Sequence, residues 1–571
     1  MKRWLVIFVL CLVSVAPTVW GANPVNKEEA TRELVTQTDM LRTEEEPPFQ
    51  KPQKKSVVEE EAEKAEPEAA GPPFLVKKIL VEGNTLIPSK DLLAQAPSFE
   101  GRKLTLRELQ RFTDIVTAIY RGKGYTTTRA YIPPQKVING VVTIRVLEGR
   151  VGKVEVAGNC WFRKLVYRNA VPIKPGEMFE MAKLENGLQN INAAPDRAAQ
   201  AFLAPGKEKG TTDVILKAKD KFPLHVSYEF NRRGTNLTHW GRHIIHLTDN
   251  NLFGFGDQLR AQLSMAEQGA LLAGAFHYEF PWQKTGTVYY FDGGVAKSRL
   301  LKELRPLDVT GKSFSLAPGV TQTFFETSSL RLGGDLRFEI KDAKTDVGND
   351  KLSFDRMRVL VGGPRFSMND HFGRTLAGAD IHVGIPDLMG GSPKHDPSAS
   401  RVDSGGQFVY GTMNMARLQR LYMGSFLVLQ GSGQLSASPL TALEQYYLGG
   451  MYSVRGYPEN DSSGDKGYNL SAEVRVPPYF IPASWKIPGM KNKTWRDTFS
   501  TVGFIEGGQV FNLKRQQPSS EKNRTLLGAG FGVRFYINPD LNFQMDLGFP
   551  FGDESSENND MMVHLSARVG F

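Results

Sequence analysis

Cysteine is nearly absent from this chain of 571 residues, with only 2. Cys11 falls in an apolar leader, which leaves Cys160 alone, so the mature chain holds neither an intramolecular disulfide nor a multi-cysteine zinc site. Histidine is sparse too, 9 in all and scattered. No Gly-x-Ser-x-Gly, His-Glu-x-x-His or P-loop pattern occurs, so no catalytic residue, metal ligand or cofactor is assigned and the chain does not read as an enzyme. No long apolar helix is evident. Charge of one sign is also lacking: 70 Lys+Arg face 61 Asp+Glu, a net +9 spread among acids instead of gathered in the basic stripe that nucleic acid needs.

What is present is glycine (56), phenylalanine (34) and tyrosine (17), which suit strands joined by tight turns. The length fits about two to four domains. Residues 1–21 read as a secretory signal peptide: Lys2 and Arg3, an apolar core from Leu5 to Val15, then small Val19 and Gly21 at the cleavage positions. That core is too short to span a bilayer comfortably. Residues 25–42 carry Ala30, Leu34 and Leu41 near one face of a short helix, which either docks elsewhere or stands as a solvated arm. Residues 43–73 are rich in Glu, Lys and Pro and read as a flexible tether.

Folded sequence begins at Phe74. FLVKKILVEG (74–83) reads as a strand, Ser89 to Ala96 as a short helix, and Thr105 to Arg121 as a longer one. Thr105 and Glu108 have the spacing of a capping box, and Leu109, Phe112, Val116, Ile119 and Tyr120 recur at helical spacing. Two more strands follow, TTTRAYI and VVTIRVLEG. The order β-α-α-β-β then repeats. VGKVEVAGN matches VKKILVEGN down to the Gly158-Asn159 turn, helices lie near Phe162 to Ala170 and Met181 to Ile191, and strands near Ala199 to Leu203 and Asp213 to Lys219 close the unit. Two copies of one module are expected, 74–150 and 151–222.

From Pro223 the period becomes two. Leu541, Phe543, Met545, Leu547 and Phe549 alternate with Asn542, Gln544, Asp546 and Gly548. Leu527 to Ile537 alternates with Gly528, Gly530, Gly532, Arg534 and Tyr536, and Tyr468 to Val476 with Asn469, Ser471, Glu473 and Arg475. The last strand sets Val563, Leu565, Ala567, Val569 and Phe571 against His564, Ser566, Arg568 and Gly570. Strands of about ten residues with an apolar and a polar face have the length and pattern of tilted bilayer crossings. In lipid a sheet must close, so residues 223–571 are expected as a barrel of about 12 to 18 strands. Between two such strands lies LGGMYSVRGY (448–457), a glycine-flanked loop with a single arginine.

In order, these features resemble the outer-membrane transporters of two-partner secretion, the haemolysin secretion/activation group. Pro205, Gly206, Gly210 and Asp213 look like the signature at the end of its second module, NLFGFGDQL (251–259) like its first barrel hairpin, and Val454, Arg455, Gly456 and Tyr457 like the tip of its sixth extracellular loop. The resemblance implies α+β periplasmic POTRA repeats followed by an all-β transmembrane barrel of sixteen antiparallel strands. It implies that the helix within 22–42 plugs the pore and that the Arg455 loop folds into the lumen. There the arginine would meet a barrel-wall motif Phe-x-Asp-x-Gly. This chain has Phe504, Glu506 and Gly508, a carboxylate one methylene longer. The terminal Phe571 would serve as the assembly signal. The implied partners are a secreted exoprotein, outer-membrane lipid and the barrel-assembly machinery during biogenesis, with no nucleic acid. A barrel-assembly factor shares the POTRA and loop motifs and is the main rival reading.

Overall fold

The structure is a computed structural model that describes residues 57–59, 72–282, 286–327, 329–488, 493–513, 523–538 and 541–570. The expected leader, the 22–42 helix, most of the tether and Phe571 lie outside the described residues.

The chain divides into two compact units. In the first, residues 74–220 form two modules of one topology. The first module has β2 (Phe74–Val76), β3 (Lys78–Glu82), α1 (Ser89–Leu92), β4 (Arg102–Leu104), α2 (Leu106–Gly122), β5 (Arg129–Tyr131) and β6 (Val141–Leu147). The second has β7 (Arg150–Ala157), α3 (Lys164–Ala170), α4 (Met181–Ala193), β8 (Arg197–Pro205) and β9 (Thr211–Asp220). In both, the first long strand pairs parallel with the last, β3 with β6 and β7 with β9. The middle strand pairs antiparallel with that last strand, β5 with β6 and β8 with β9. Each sheet buries its apolar face under the helices, through Leu109, Phe112 and Val116 in one module and Leu184, Leu188 and Ile191 in the other. Thr105 accepts from the Glu108 amide and Glu108 returns a bond to Thr105, the capping box the spacing called for.

The repeat extends to its turns. Gly83 and Gly158 both have φ of +84°, each with a neighbouring carbonyl where a Cβ would stand. Asn84 and Asn159 donate to the carbonyls of Ile87 (2.8 Å) and Phe162 (2.9 Å). A carboxylate then ties each turn to the last strand. Glu148 accepts from the Thr85 and Leu86 amides and from Tyr120, and Asp220 from the Cys160 and Phe162 amides and from Tyr167. Burial alone would raise the Glu148 pKa, but these bonds outweigh it and hold it below the ordinary value.

Two readings are corrected. FLVKKILVEG is not one strand: the chain turns at Lys77, where the Lys77 and Lys78 amides share the Gly140 carbonyl, and β2 pairs with β4 while β3 pairs with β6. Within the expected tether, β1 (Val57–Glu59) pairs parallel with β8 over Ala201–Leu203. The strand adds to the β8 edge of that sheet, where backbone groups would otherwise stand unpaired.

The second unit contains a closed antiparallel barrel of sixteen strands. Its first half is β10 (Leu224–Asn231), β11 (Arg242–Asp249), β12 (Gln258–Ala266), β13 (Leu271–Trp282), β14 (Thr287–Arg299), β15 (Val309–Glu326), β16 (Leu330–Val347) and β17 (Asp350–Asp370). Then come β18 (Gly373–Gly384), β19 (Phe408–Arg420) and β20 (Phe426–Ser436). A short hairpin, β21 (Tyr446–Leu448) and β22 (Ser462–Gly464), stands outside the barrel order. The barrel resumes with β23 (Lys466–Val476), β24 (Phe499–Phe511), β25 (Arg524–Asn538), β26 (Leu541–Pro550) and β27 (Met562–Gly570), and β27 closes on β10. Not every strand keeps to about ten residues: β15, β16 and β17 run 18, 18 and 21. Their surplus carries Lys344, Asp346, Asp350 and Lys351, polar residues that continue the ladder into water.

Outward positions are apolar and exposed, such as Leu470 (62%), Ile505 (58%) and Phe531 (56%), as a lipid-facing surface requires. Neighbours on the other face such as Asn469, Phe504 and Glu506 are buried in the lumen. Among the described residues no helix is long and apolar enough to cross a membrane. Segments 385–407 and 437–465 join strands at the far end of the barrel, opposite the end where β10 begins.

Candidate lumen latch

The 437–465 segment, between β20 and β23, does not extend away from the barrel. Its hairpin residues Tyr446 and Leu448 pack with Val454 and Tyr457 against Val510 of β24 and Leu526 of β25, all buried. Tyr457 donates to the Asp553 carbonyl (3.0 Å) and accepts from the Gly552 amide (3.1 Å). The loop tip is thereby lodged in the lumen.

Arg455 is 3% exposed. Its Nε and Nη2 donate to Glu506 Oε1 at 3.0 and 2.6 Å, and its backbone amide donates to Oε2 at 2.6 Å. Glu506 therefore takes both edges of the loop residue, side chain and main chain, in the fork geometry that lysine cannot supply. The guanidinium carbon also lies 3.5 Å from the centre of the Phe504 ring. Phe504, Glu506 and Gly508 alternate along one face of β24, so the strand period brings ring and carboxylate to the same arginine. Gly508 lies beside Leu448, whose side chain stands 2.8 Å from where a Cβ would sit.

The arrangement is wider than a pair. Arg455 Nη1 also reaches Glu473 of β23 (2.7 Å) and Asp546 of β26 (3.2 Å). Arg475 binds Glu473 (2.7 Å), and Arg534 of β25 binds Asp546 and Glu473. Three arginines thus face three carboxylates, all buried, with formal charges in balance. Ser471 and Gln544 satisfy further acceptor sites at 2.9 and 3.0 Å. Such a network defines position more than it adds stability, because desolvation offsets most of the attraction.

Shape fixes the tip as firmly as charge. Gly456 has φ of +110°, open to glycine, and a Cβ there would lie 2.9 Å from the Pro550 nitrogen. A Cβ on Gly528 would stand 2.1 Å from the Arg455 carbonyl oxygen, and one on Gly548 2.4 Å from the Gly456 nitrogen. The wall is bare where the loop backbone lies against it.

The sequence singled out Arg455 and Glu506 but not Glu473, Arg475, Arg534 or Asp546. Each stands on the polar face of an alternating strand, which was the available signal. Only strand register shows that they converge.

The signature residues of the second module sit elsewhere, at the β8–β9 turn. Pro205 ends β8, the Gly206 amide donates to the Thr211 carbonyl (2.8 Å), and Gly210, at φ +84°, accepts from the Arg150 amide (2.8 Å). Asp213 accepts from the Lys153 amide (2.7 Å), across from Gly152 at the register shift of β7. Their contacts are those of a turn and a strand register. NLFGFGDQL spans the β11–β12 turn.

The POTRA domain of ShlB type matches residues 74–149, and the haemolysin secretion/activation protein ShlB/FhaC/HecB family matches residues 210–535. The outer membrane transporter CdiB of Dickeya dadantii is 22% identical over 533 residues, 89% of this chain and 88% of that protein. The heme/hemopexin transporter protein HuxB of Haemophilus influenzae is 23% identical, over 81% of each chain. The structure of CdiB from Escherichia coli superposes with a TM-score of 0.67 at 19% identity, covering 97% of this chain and 99% of that one. With POTRA modules, a sixteen-stranded barrel and a family match over more than half its length, this chain belongs to the ShlB/FhaC/HecB family of outer-membrane transporters.

Proposed function

We propose that the chain exports one unfolded partner protein from the periplasm through its lumen to the cell surface. In this reading residues 1–21 direct export and are removed, 22–42 plug the pore, and 43–73 link that plug to the modules, with β1 paired on β8. The modules at 74–150 and 151–222 receive the partner as an added strand on a sheet edge, and 223–571 conducts it. The observation that carries the reading is the lumen loop. A closed barrel with a loop held inside by Arg455, Glu506 and their neighbours fits a path with a gate, and export needs no reaction of its own. Phe571 serves recognition by the barrel-assembly machinery, and outer-membrane lipid surrounds the barrel.

One observation favours the rival reading, insertion of other barrels. Among the described residues the β27–β10 seam is registered over Ser227–Asn231, a shorter ladder than β10 makes with β11, and an opening seam would admit a strand sideways. A deletion strain separates the two. Loss of one large surface or culture protein, with other barrels at parental level, supports export and names the partner. A general fall in outer-membrane barrels supports insertion and overturns the export reading.

A further inference from the structure

The loop that carries Arg455 at its tip is also held at its root, on a different sector of the wall. Glu444 lies in the short turn Ala442–Glu444, before β21, and is 1% exposed. One oxygen of its carboxylate is 2.6 Å from Nζ of Lys341 on β16, and the other accepts from the hydroxyl of Tyr410 on β19 at 2.7 Å. Lys341 is 3% exposed and pairs also with Glu339 at 2.8 Å, so it sits between two buried carboxylates. Around this point Leu440 and Leu443 of the loop pack on Met357, Val359, Val361 and Phe408, which face the lumen from β17 and β19. A second segment braces the root: Ser400 donates to Asp355 (2.6 Å) and accepts from the Ala442 amide (2.9 Å). The tip is fixed to β23, β24 and β26, the root to β16 and β19, so one loop spans the lumen between separate arcs of wall.

We propose that Glu444, Lys341 and Tyr410 form a second latch, which holds the root of the lumen loop across the far mouth of the barrel and must release for the path to open. The chemistry suits release. A buried acid between one ammonium and one phenol keeps its place only while both partners are seated, and an apolar shell of loop leucines excludes the water that would otherwise compete. These are positioning residues: they act through the loop. The proposal rests on the export reading only for its consequence, since opening is measured without a partner.

The test uses the purified full chain in planar bilayers, with folding checked by heat-modifiable migration. Lys341→Met and Glu444→Gln should each raise the open fraction by about tenfold or more. The double variant should open no more than the stronger single one, because loss of either member already frees the other. Tyr410→Phe, which leaves both charges in place, should shift conductance the same way by less. Parental open fractions in folded single variants, or effects that multiply in the double variant, overturn the latch. If the charge variants fail to fold, Tyr410→Phe decides: parental conductance overturns the proposal and a raised open fraction supports it. A failed latch leaves export standing, and a failed export assay leaves the conductance result intact.

Discussion

Replacing Arg455 by alanine should free the loop tip while leaving the barrel assembled. The variant loses both side-chain bonds to Glu506, the bonds to Glu473 and Asp546, and the stacking on Phe504, and keeps only the backbone amide bond to Glu506. The losses are unequal. Glu473 keeps Arg475 and Arg534, and Asp546 keeps Arg534 and Gln544. Glu506 keeps only the Ser471 hydroxyl among side chains. It becomes a buried charge without a cation, and removing one partner of a buried pair costs about 3–5 kcal/mol. That shifts the docked-to-released ratio by a hundredfold to several thousandfold, on the order of two to four powers of ten. The barrel itself is closed by sixteen strand ladders that do not involve Arg455, so its assembly should persist. The assay is maleimide labelling of a cysteine placed at Ser453, in a Cys160→Ser background, since labelling of a protected site tracks its open population. Secretion is read in parallel and should fall. Adding Glu506→Gln to Arg455→Ala should return part of the protection by removing the stranded charge. A labelling rate in Arg455→Ala equal to that of the parent would refute the reasoning, whatever happened to secretion.

Packing can be tested with every charge kept. Gly528→Val puts a Cβ 2.1 Å from the Arg455 carbonyl and should cost about 1–3 kcal/mol, raising Ser453-site labelling, whereas Gly503→Ala, with nothing within 4 Å, should not. Thr105→Ala removes the cap of α2 and should cost about 1 kcal/mol, read as faster amide exchange in the first turn. Glu148 has a folded pKa below its ordinary 4.5, so its contribution is complete above that value and is lost as pH falls through the lower folded one. The Thr85 and Leu86 amides should therefore lose protection in acid beyond the intrinsic change in exchange rate, and Glu148→Gln should remove that pH dependence.

Much of the molecule was legible in the chain because two periodicities are local. Leu109, Phe112 and Val116 mark the buried face of α2 without knowledge of what covers it. Phe504, Glu506 and Gly508 mark the lumen side of β24 in the same way, since a strand alternates whatever its neighbours. Strand count was less legible. Turns and strand ends carry weak signals, and the ladders of β15 to β17 continue past the bilayer where no apolar face is needed. The break at Lys77 was hidden because FLV and KILVE alternate as one strand, and only pairing separates them.

By itself the sequence determined the division into repeated modules and a barrel, the two faces of each strand, and the arginine loop as a distinctive element. Those follow from residue type and spacing along a few neighbours. Tertiary structure alone decided which polar residues meet. Arg455, Glu473, Glu506, Arg534 and Asp546 come from four strands and a loop, and barrel closure with its register sets them together. It decided the use of Gly528 and Gly548, which look in the chain like small residues on a strand face and in the barrel clear the path of a folded-in backbone. It also put Glu444 beside Lys341, more than a hundred residues earlier in the chain. Charge pairing acts over a few ångströms of space, and only the closed sheet brings such distant positions within that reach.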